Sequence, residues 1–230
     1  MRGLYAIVDV ATLGSRNVDP LAFADALLEA GPAALQLRAK ELSSHETLAL
    51  LRQLAPRCHR AGVPLVANDR PDLALLAGCD MVHIGQTDMP IERARQIAQG
   101  LGIGVSTHTL DQLDAALAAR PAYVAYGPVF ETRSKTNPDP VVGVEGVVAA
   151  HARASIARIP LVAIGGIGED GARVLAGHVD AVAVIGSLVP SVRAFGGSAA
   201  TRDWLREVTA RAVALRETIV PTRAAVGASR

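Results

Sequence analysis

The stretch LVANDRPDLALLAGCDMVHIGQTD, residues 65–88, contains the pattern on which the fold depends. Two short apolar runs, at 65–67 and 81–84, each end in a polar cluster, and a helical segment that stops before Gly78 separates them. Short, continuously apolar runs are typical of strands that are buried on both faces, as in parallel sheets. The stretch therefore predicts a strand–helix–strand unit whose polar side chains lie at the carboxyl ends of its strands.

The same unit repeats along the chain. The predicted strands are residues 4–8, 33–37, 65–67, 81–84, 103–105, 123–126, 161–164 and 181–185. Amphipathic segments lie between them at 20–30, 45–61, 91–99, 110–118, 144–157, 170–176 and 202–217. Strands that alternate with helices pair in parallel through right-handed crossovers, and eight such units are the number that closes a barrel.

The competing architecture is an open, doubly wound sheet. No GxGxxG motif follows the first strand, however, and polar clusters follow nearly every strand, which suits a ring better. We therefore expect an α/β protein with a single (β/α)8 TIM barrel, a catalytic domain over residues 1–218. Residues 219–230 lack apolar periodicity and are expected to form a flexible tail.

Composition limits the classes of function. The chain has 230 residues, half of them hydrophobic, and a net charge of +1, which gives no electrostatic case for binding nucleic acid or a membrane surface. Aromatic residues make up only 3%, so Ala, Val, Leu and Ile are expected to fill the core.

The two cysteines, Cys58 and Cys79, fit no disulfide or metal pattern and are expected to be buried thiols. Without a signal peptide or a long apolar span, a soluble, cytoplasmic protein is expected.

Glycine pairs follow the last two predicted strands. Gly165-Gly166 comes after the seventh strand and Gly186-Ser187 after the eighth. In many barrels these two loops bind a phosphate group through backbone N–H groups, and glycine lets the backbone approach the anion. The alternative is a pair of tight turns that need small residues, but both pairs at the expected strands favour a phosphate site.

Charged residues follow the second, third and fourth strands. Arg38 and Lys40 point to the same side if the second strand continues, and a guanidinium with an ammonium suits a diphosphate. Asp69 and Asp88 follow adjacent strands, so that two carboxylates could share one Mg²⁺. The alternatives are a solvated basic pair, a helix cap at Asp69 and a turn residue at Asp88.

A long segment from Gly127 leads into a loop that contains Thr132, Ser134 and Lys135. Long loops after barrel strands are usually functional, although a disordered surface loop is the alternative.

Ser106 and His108 follow the fifth strand and could form a nucleophile pair, but no nucleophile elbow surrounds the serine. A zinc site is not expected, since no HxH, HExxH or Cys/His cluster is present.

Seven segments together resemble the thiamine phosphate synthase family, within the thiamine phosphate synthase/thiazole tautomerase superfamily. They are QLRAK (36–40), ANDR (67–70), VHIGQTD (82–88), GVSTHT (104–109), GPVFETRSK (127–135), AIGGI (163–167) and AVIGS (183–187). Each segment is a weak signal, whereas their joint order and spacing are specific and cover nearly the whole barrel.

The resemblance implies a transferase of thiamine biosynthesis. In that family the thiazole nitrogen of a phosphorylated thiazole displaces diphosphate from 4-amino-2-methyl-5-pyrimidinylmethyl diphosphate, with the help of Mg²⁺. The residues that would contact the pyrimidine diphosphate are Gln36, Leu37, Arg38, Ala39, Lys40, Asn68, Ser106 and Lys135. Those that would bind the thiazole phosphate are Thr132, Arg133, Ser134, Gly166, Ile185 and Gly186. Asp69 and Asp88 would hold Mg²⁺, and Arg38, Lys40, Ser106 and Lys135 would be catalytic.

The chain departs from the family pattern at two positions. Ser134 stands where the family commonly has threonine, and Gly186 where it commonly has serine. Two other functions stay open: a thiazole tautomerase, and a non-catalytic regulator that binds a phosphorylated ligand. The metal and diphosphate residues favour the synthase. The expected partners are the two substrates, with no nucleic acid or membrane, and a homo-oligomer stays open.

Overall fold

The computed structural model describes residues 1–132, 139–191 and 198–220, and of residues 198–200 the backbone alone. The elements in chain order are β1 (Gly3–Asp9), α1 (Val10–Gly14), α2 (Pro20–Glu29), β2 (Ala34–Arg38), α3 (Ser44–Ala61), β3 (Leu65–Asn68), α4 (Pro71–Ala77), β4 (Met81–Ile84), α5 (Ile91–Ile97), β5 (Gly102–Thr107), α6 (Leu110–Ala118), β6 (Tyr123–Tyr126), α7 (Gly143–Ala157), β7 (Leu161–Ile164), α8 (Glu169–Leu175), β8 (Ala181–Val184), a 3₁₀ turn (Gly186–Leu188) and α9 (Ser198–Ile219).

The eight strands form a closed parallel barrel in which neighbours in the chain are neighbours in the sheet, and β1 pairs with β8 to close the ring. The predicted (β/α)8 TIM barrel is thereby confirmed. Closure brings the carboxyl ends of all eight strands to one rim, where the polar clusters of the sequence meet.

The bounds of some elements differ from the predicted ones. The five-residue helix α1 was not predicted, because it is too short for an amphipathic period; the Asp9 side chain caps it by accepting a hydrogen bond from the Thr12 N–H. Helix α9 is longer than predicted and ends at Ile219, and residues 221–230 of the predicted tail lie outside the described residues. None of the helices in the described ranges is both long and apolar enough to cross a membrane.

Local caps fix several helix ends where the sequence places them. Ser43 and Glu46 form a reciprocal capping box at the start of α3, and each accepts a hydrogen bond from the backbone N–H of the other. Gly62 and Gly78 end α3 and α4 in the left-handed conformation, at φ values of 66° and 71°, which a side chain would make costly.

Two hydrophobic layers flank the barrel wall. The outer core lies between the strands and the helices and follows the expected aliphatic composition. The inner core lies inside the barrel, where small residues such as Ala34 and Ala183 leave room that Tyr5 and Tyr123 fill. Aliphatic residues thus fill most of the core, as expected, and two of the few aromatic side chains occupy the centre of the barrel, because the interior of an alanine-rich ring needs large side chains.

Both cysteines are buried and free, as predicted. Burial raises the pKa of each thiol, Cys58 and Cys79 alike, to about 12. Because the thiolate is the reactive form, neither side chain is suited to a nucleophilic or metal-binding role in the folded protein.

Candidate active site

A cavity of about 770 Å³ opens at the carboxyl ends of the strands. Of the predicted substrate- and metal-binding residues, those that line it are Gln36, Arg38, Lys40, Asn68, Asp69, Asp88, Ser106, Thr132, Gly166, Ile185 and Gly186. Leu37 and Ala39 instead belong to or pack against the outer core, since alternate residues of a strand point to opposite faces. Their proposed contact with a ligand is thereby limited to the backbone. Arg133, Ser134 and Lys135 lie outside the described residues.

Arg38 is held in place by Asp9, a residue that sequence reasoning missed. The two are paired across β1 and β2 and form an ion pair. Asp9 is only 4% exposed, and its carboxylate also accepts hydrogen bonds from the Thr12 N–H at 2.8 Å and the Thr12 hydroxyl at 2.7 Å. The only sequence signal is an acidic residue at the end of the first apolar run. The arrangement fixes a guanidinium at the rim of the cavity, because Asp9 is itself anchored to helix α1.

Lys40, Asp69 and Asp88 form a charged cluster beside Arg38. Lys40 Nζ lies 3.1 Å from Asp69 Oδ2, and the Gly85 N–H donates to Asp88 Oδ2 at 2.7 Å. Burial raises the pKa of Asp69, a hydrogen bond shared with the Asp88 carboxyl raises it further, and Lys40 opposes both effects. We refer to Arg38 and Lys40 as the basic wall of the cavity.

The paired carboxylates fit a hard divalent cation. Asp69 and Asp88 lie close enough to share a hydrogen bond, and both line the cavity, as the sequence predicts. Carboxylate oxygens are the ligands that Mg²⁺ prefers, and one or two of them suffice when water and a substrate phosphate complete the shell. Among the described residues no group of three or more His, Cys, Asp or Glu side chains could hold a metal ion, so Asp69 and Asp88 would depend on water and a substrate phosphate for the remaining ligands.

Five side chains from five strands form a continuous hydrogen-bonded chain through the barrel, which we call the polar relay. Gln36 Nε2 donates to the Tyr5 hydroxyl at 3.1 Å, and the Tyr5 and Tyr123 hydroxyls are 2.7 Å apart. His83 then connects the Tyr123 hydroxyl, 2.9 Å from Nδ1, to the Ser106 hydroxyl, 2.8 Å from Nε2. Tyr5, Tyr123 and His83 were not predicted as site residues, because each reads locally as part of a strand core.

Gly104 makes the relay possible. It lies between His83 of β4 and Tyr123 of β6 in the strand register, and a Cβ atom there would be 2.0 Å from Tyr123 Cζ. With no side chain in the way, the Tyr123 ring stacks on the His83 ring, with centroids 5.6 Å apart and an angle of 15° between the planes. A glycine inside a strand often marks such a close approach.

The Ser106–His108 nucleophile pair, which the sequence already disfavours for lack of a nucleophile elbow, is not formed in the structure. Ser106 is bonded to His83, whereas His108 Nδ1 lies 2.6 Å from the Gly127 carbonyl oxygen and its Nε2 lies 3.4 Å from Asp139. Ser106 lies within β5, whereas His108 lies beyond its end, where the period-two alternation of a strand no longer relates the two side chains.

The opposite side of the cavity is built from Gly165, Gly166, Gly186 and Ser187, which we call the glycine wall. Gly165 and Gly166 have φ values of 103° and 66°, and a Cβ atom at Gly166 would be 2.3 Å from the Glu131 carbonyl oxygen. The Phe130 N–H donates to the Gly165 carbonyl at 3.0 Å, so the loops after β6 and β7 are joined. Gly186 begins the 3₁₀ turn, and a Cβ atom there would meet nothing within 4 Å.

Comparison with known proteins agrees with this geometry. A family model described as thiamine monophosphate synthase matches residues 4–188. The thiamine-phosphate synthase of Koribacter versatilis is 42% identical over 194 residues, 83% of this chain and 90% of that protein. The thiamine-phosphate synthase of Methanoregula boonei is 36% identical over 219 residues, 93% and 96% of the two chains. The solved structure of thiamine phosphate pyrophosphorylase from Pyrococcus furiosus superposes with a TM-score of 0.76 at 30% identity, over 94% of this chain and 95% of that one. The chain thus belongs to the thiamine monophosphate synthase family.

Proposed function

We propose that this protein is a thiamine phosphate synthase, a transferase that joins 4-amino-2-methyl-5-pyrimidinylmethyl diphosphate to thiazole phosphate and releases diphosphate. The observation that carries the proposal is that the basic wall and the glycine wall lie on opposite sides of one cavity. The basic wall and its carboxylates follow β2, β3 and β4, and the glycine wall follows β7 and β8; β3 and β7 are four strands apart in a ring of eight. Two anionic substrates can thus be held apart while their reacting centres meet between them.

The basic wall suits the leaving group. Breaking the C–O bond of the pyrimidinylmethyl ester places negative charge on diphosphate, and Arg38 and Lys40 lie where that charge would grow. Asp9 keeps the Arg38 guanidinium oriented before the substrate arrives, so that little reorganisation accompanies the reaction. Lys135 is a third candidate cation, which we assign to the same anion from its place in the family motif.

Asp69 and Asp88 are the residues that would hold Mg²⁺. When bound, the ion supplies positive charge to the departing diphosphate. Lys40, which pairs with Asp69, brings a further positive charge to the same edge of the cavity. The two carboxylates do not act on the reacting carbon in this scheme, and no covalent protein nucleophile is needed, because an electron-rich aminopyrimidine stabilises the positive charge left on its methylene group.

The remaining residues position the substrates and limit the access of water. Gln36 and Ser106 line the cavity from different strands and can hydrogen-bond a pyrimidine ring, and apolar side chains such as Ile7 and Val162 line the space between. Because water would compete with the thiazole nitrogen for the electrophilic carbon, this apolar lining favours transfer over hydrolysis. Backbone N–H groups of the glycine wall are the donors we assign to the thiazole phosphate.

The activity can be tested directly with the purified full chain. With both substrates and Mg²⁺ we expect thiamine phosphate and diphosphate to form in equal amounts, and excess chelator to stop the reaction. Without diphosphate, Mg²⁺ alone should bind weakly. Binding of thiazole phosphate without any turnover would contradict the proposal and favour a regulator, and isomerisation of the thiazole alone would favour a tautomerase.

A matched set of carboxylate variants tests the metal assignment. Asp69→Asn and Asp88→Asn should each abolish turnover at ordinary Mg²⁺ concentrations. Asp72→Asn is the control, since Asp72 lies three residues beyond Asp69 and pairs with the partly exposed Arg70 away from the cavity. A loss of similar size in all three variants would indicate a general effect of charge on the fold, and full turnover in Asp69→Asn would exclude its role as a ligand.

A further inference from the structure

We propose that Ser187 is a positioning residue of the thiazole phosphate site: its side chain fixes the spacing of the two turns whose backbone N–H groups bind the phosphate, and it does not bind the phosphate itself. The turns are residues 165–167, the β7 turn, and Gly186–Leu188, the β8 turn. Ser187 would thereby set the affinity for the phosphate ester and leave the pyrimidine site unchanged. This inference rests on the proposed function, since it concerns the phosphate assigned to the glycine wall.

Four backbone N–H groups of the two turns donate to no oxygen atom of the described ranges. They are those of Gly166, Ile167, Gly186 and Ser187, and all four residues line the cavity. A backbone N–H that is shielded from water without an acceptor is costly, so buried N–H groups are nearly always paired. Four such donors from two turns, beside one cavity, indicate a ligand rich in acceptors, as a phosphate ester is.

The Ser187 hydroxyl joins the two turns. Its Oγ donates to the Ile167 carbonyl oxygen at 2.9 Å. Because a carbonyl oxygen can only accept, the single hydroxyl proton is used in this bond. The lone pairs that remain on Oγ cannot bind a phosphate dianion, whose oxygens are acceptors as well. The hydroxyl therefore does not replace the serine that the family commonly has at position 186, although it belongs to the next residue.

Arg211 of α9 holds the β8 turn from outside the barrel. Its Nη1 donates to the Ser187 carbonyl oxygen at 3.3 Å, while its Nε and Nη2 donate to Glu207 Oε1 at 3.0 and 2.6 Å. The guanidinium is thus oriented by a carboxylate one helical turn away. Leu188, at the end of the β8 turn, is buried in the outer core. Ser187 is therefore tied to the β7 turn through its hydroxyl and to α9 through its carbonyl.

The spacing of the turns matters because hydrogen bonds tolerate little displacement. A phosphate held by both turns needs N–H donors within roughly 2.7–3.2 Å of its oxygens on each side. Without the Ser187 hydroxyl, the β8 turn keeps its anchor at Leu188 but gains freedom at Gly186, where a Cβ atom would meet nothing within 4 Å. The turn must then be ordered on binding, which weakens the binding of the phosphate and leaves the reaction at the thiazole nitrogen unchanged.

The test measures kcat and KM for thiazole phosphate, and kcat/KM for the unphosphorylated thiazole alcohol, in the parent, Ser187→Ala and Arg211→Met. Loss of one hydrogen bond that orders the site should raise the KM for thiazole phosphate about threefold to tenfold in Ser187→Ala. The longer bond of Arg211 should give a rise of about threefold in Arg211→Met. The kcat, the KM for the pyrimidine diphosphate and the kcat/KM for the alcohol should stay within about twofold of the parent's.

Two variants are matched controls. Thr218→Ala removes a hydroxyl that donates to the Ala214 carbonyl at 2.8 Å, and Arg206→Met removes an arginine of α9 that pairs with Asp203. Neither Thr218 nor Arg206 lines the cavity, so the KM for thiazole phosphate should stay within about twofold of the parent's in both.

A rise in KM in Ser187→Ala but not in Arg211→Met would make Ser187 a direct ligand of the phosphate and overturn the inference. Equal losses for thiazole phosphate and the alcohol would also overturn it and leave Ser187 a role in folding alone, as would an unchanged KM in Ser187→Ala. If Ser187→Ala does not fold, as judged by its thermal transition, Arg211→Met decides; if Arg211→Met does not fold, Arg211→Lys takes its place.

Failure of the proposed function gives a different result. If the parent forms no thiamine phosphate, the proposed function fails, and the dissociation constants of thiazole phosphate and of the alcohol, measured by calorimetry in the same variants, decide the role of Ser187. A dissociation constant for thiazole phosphate that is equal in the parent and Ser187→Ala would overturn the inference, and so would a parent that does not bind thiazole phosphate.

Discussion

Replacing Gly104 with alanine should be among the most damaging single-carbon changes in this protein. The new Cβ atom would lie 2.0 Å from Cζ and 2.4 Å from the hydroxyl oxygen of Tyr123, where ordinary contacts are 3.4–4 Å. The ring would have to retreat by about 1.5 Å to restore ordinary packing. Its hydrogen bonds to Tyr5 and His83, now 2.7 and 2.9 Å long, would then exceed the range of a hydrogen bond.

The expected loss follows from these contacts. A buried polar group that loses its partner costs about 1–3 kcal/mol, and overpacking of a core typically costs about 1–3 kcal/mol. The lower chain entropy of unfolded alanine returns about 0.4–1 kcal/mol. We therefore expect a net loss of about 1–6 kcal/mol, with a midpoint near 3 kcal/mol, a large part of the usual stability of a domain. At that midpoint the melting temperature should fall by about 6–12 °C.

Urea unfolding, followed by the fluorescence of the single tryptophan, Trp204, measures this loss. Gly14→Ala is the matched control, since a Cβ atom at Gly14 meets nothing within 4 Å, and its effect should stay below about 1 kcal/mol. In a Tyr123→Leu background, which removes the ring, Gly104→Ala should cost less than about 1 kcal/mol, so that we expect a coupling of about 2 kcal/mol between the two positions. The reasoning is refuted if Gly104→Ala costs the same in both backgrounds, or no more than Gly14→Ala.

Three further outcomes are expected. The serine of Gly186→Ser fits into open space at an ordinary φ, so its hydroxyl should lower the KM for thiazole phosphate about threefold to tenfold and change kcat little. If the parent is inactive and Gly186→Ser is active, the parent has lost its synthase activity through this substitution. Lys135→Ala should reduce the single-turnover rate by roughly 10²–10³, and Lys135→Arg should recover part of that rate. If the rate of Lys135→Ala stays within about threefold of the parent's, Lys135 has no role in the chemical step. Because the folded thiols ionise only at about pH 12 and unfolded ones near their ordinary value of 9.0, stability should begin to fall above pH 9 and continue to fall toward pH 12. A parent that loses no more stability from pH 7 to 10 than its Cys58→Ala/Cys79→Ala variant would contradict this.

The architecture could be predicted because barrel strands are buried on both faces. All eight strands appear in the sequence as short apolar runs, and the closed ring then brings residues such as Arg38, Asp69, Asp88 and Ser106 to one rim without any knowledge of long-range contacts. Period-two alternation along the end of β2 also separates the cavity-lining Arg38 from Leu37, which the family motif alone does not do.

The parts that could not be predicted depend on pairing between distant segments. Tyr5 and Tyr123 are 118 residues apart, and each looks like an ordinary core residue in its own strand. Asp9 gains its role only because the register of β1 and β2 places it beside Arg38. His83 lies within the fourth apolar run, and its partners are set by the rotation of three strands around the barrel, which no local pattern encodes.

The position of Asp69 has a consequence for any selection applied to this protein. Its φ of 63° is left-handed, a conformation that costs a residue with a side chain about 1 kcal/mol, and its carboxyl is half-buried beside that of Asp88. A glycine would adopt the same backbone without that penalty and would also remove the neighbouring like charge. Selection for heat resistance in the metal-free protein should therefore enrich glycine at position 69, while selection for growth that depends on the enzyme should retain aspartate. The two pressures oppose each other at a single codon, and stabilised libraries of this fold should be screened for activity there first.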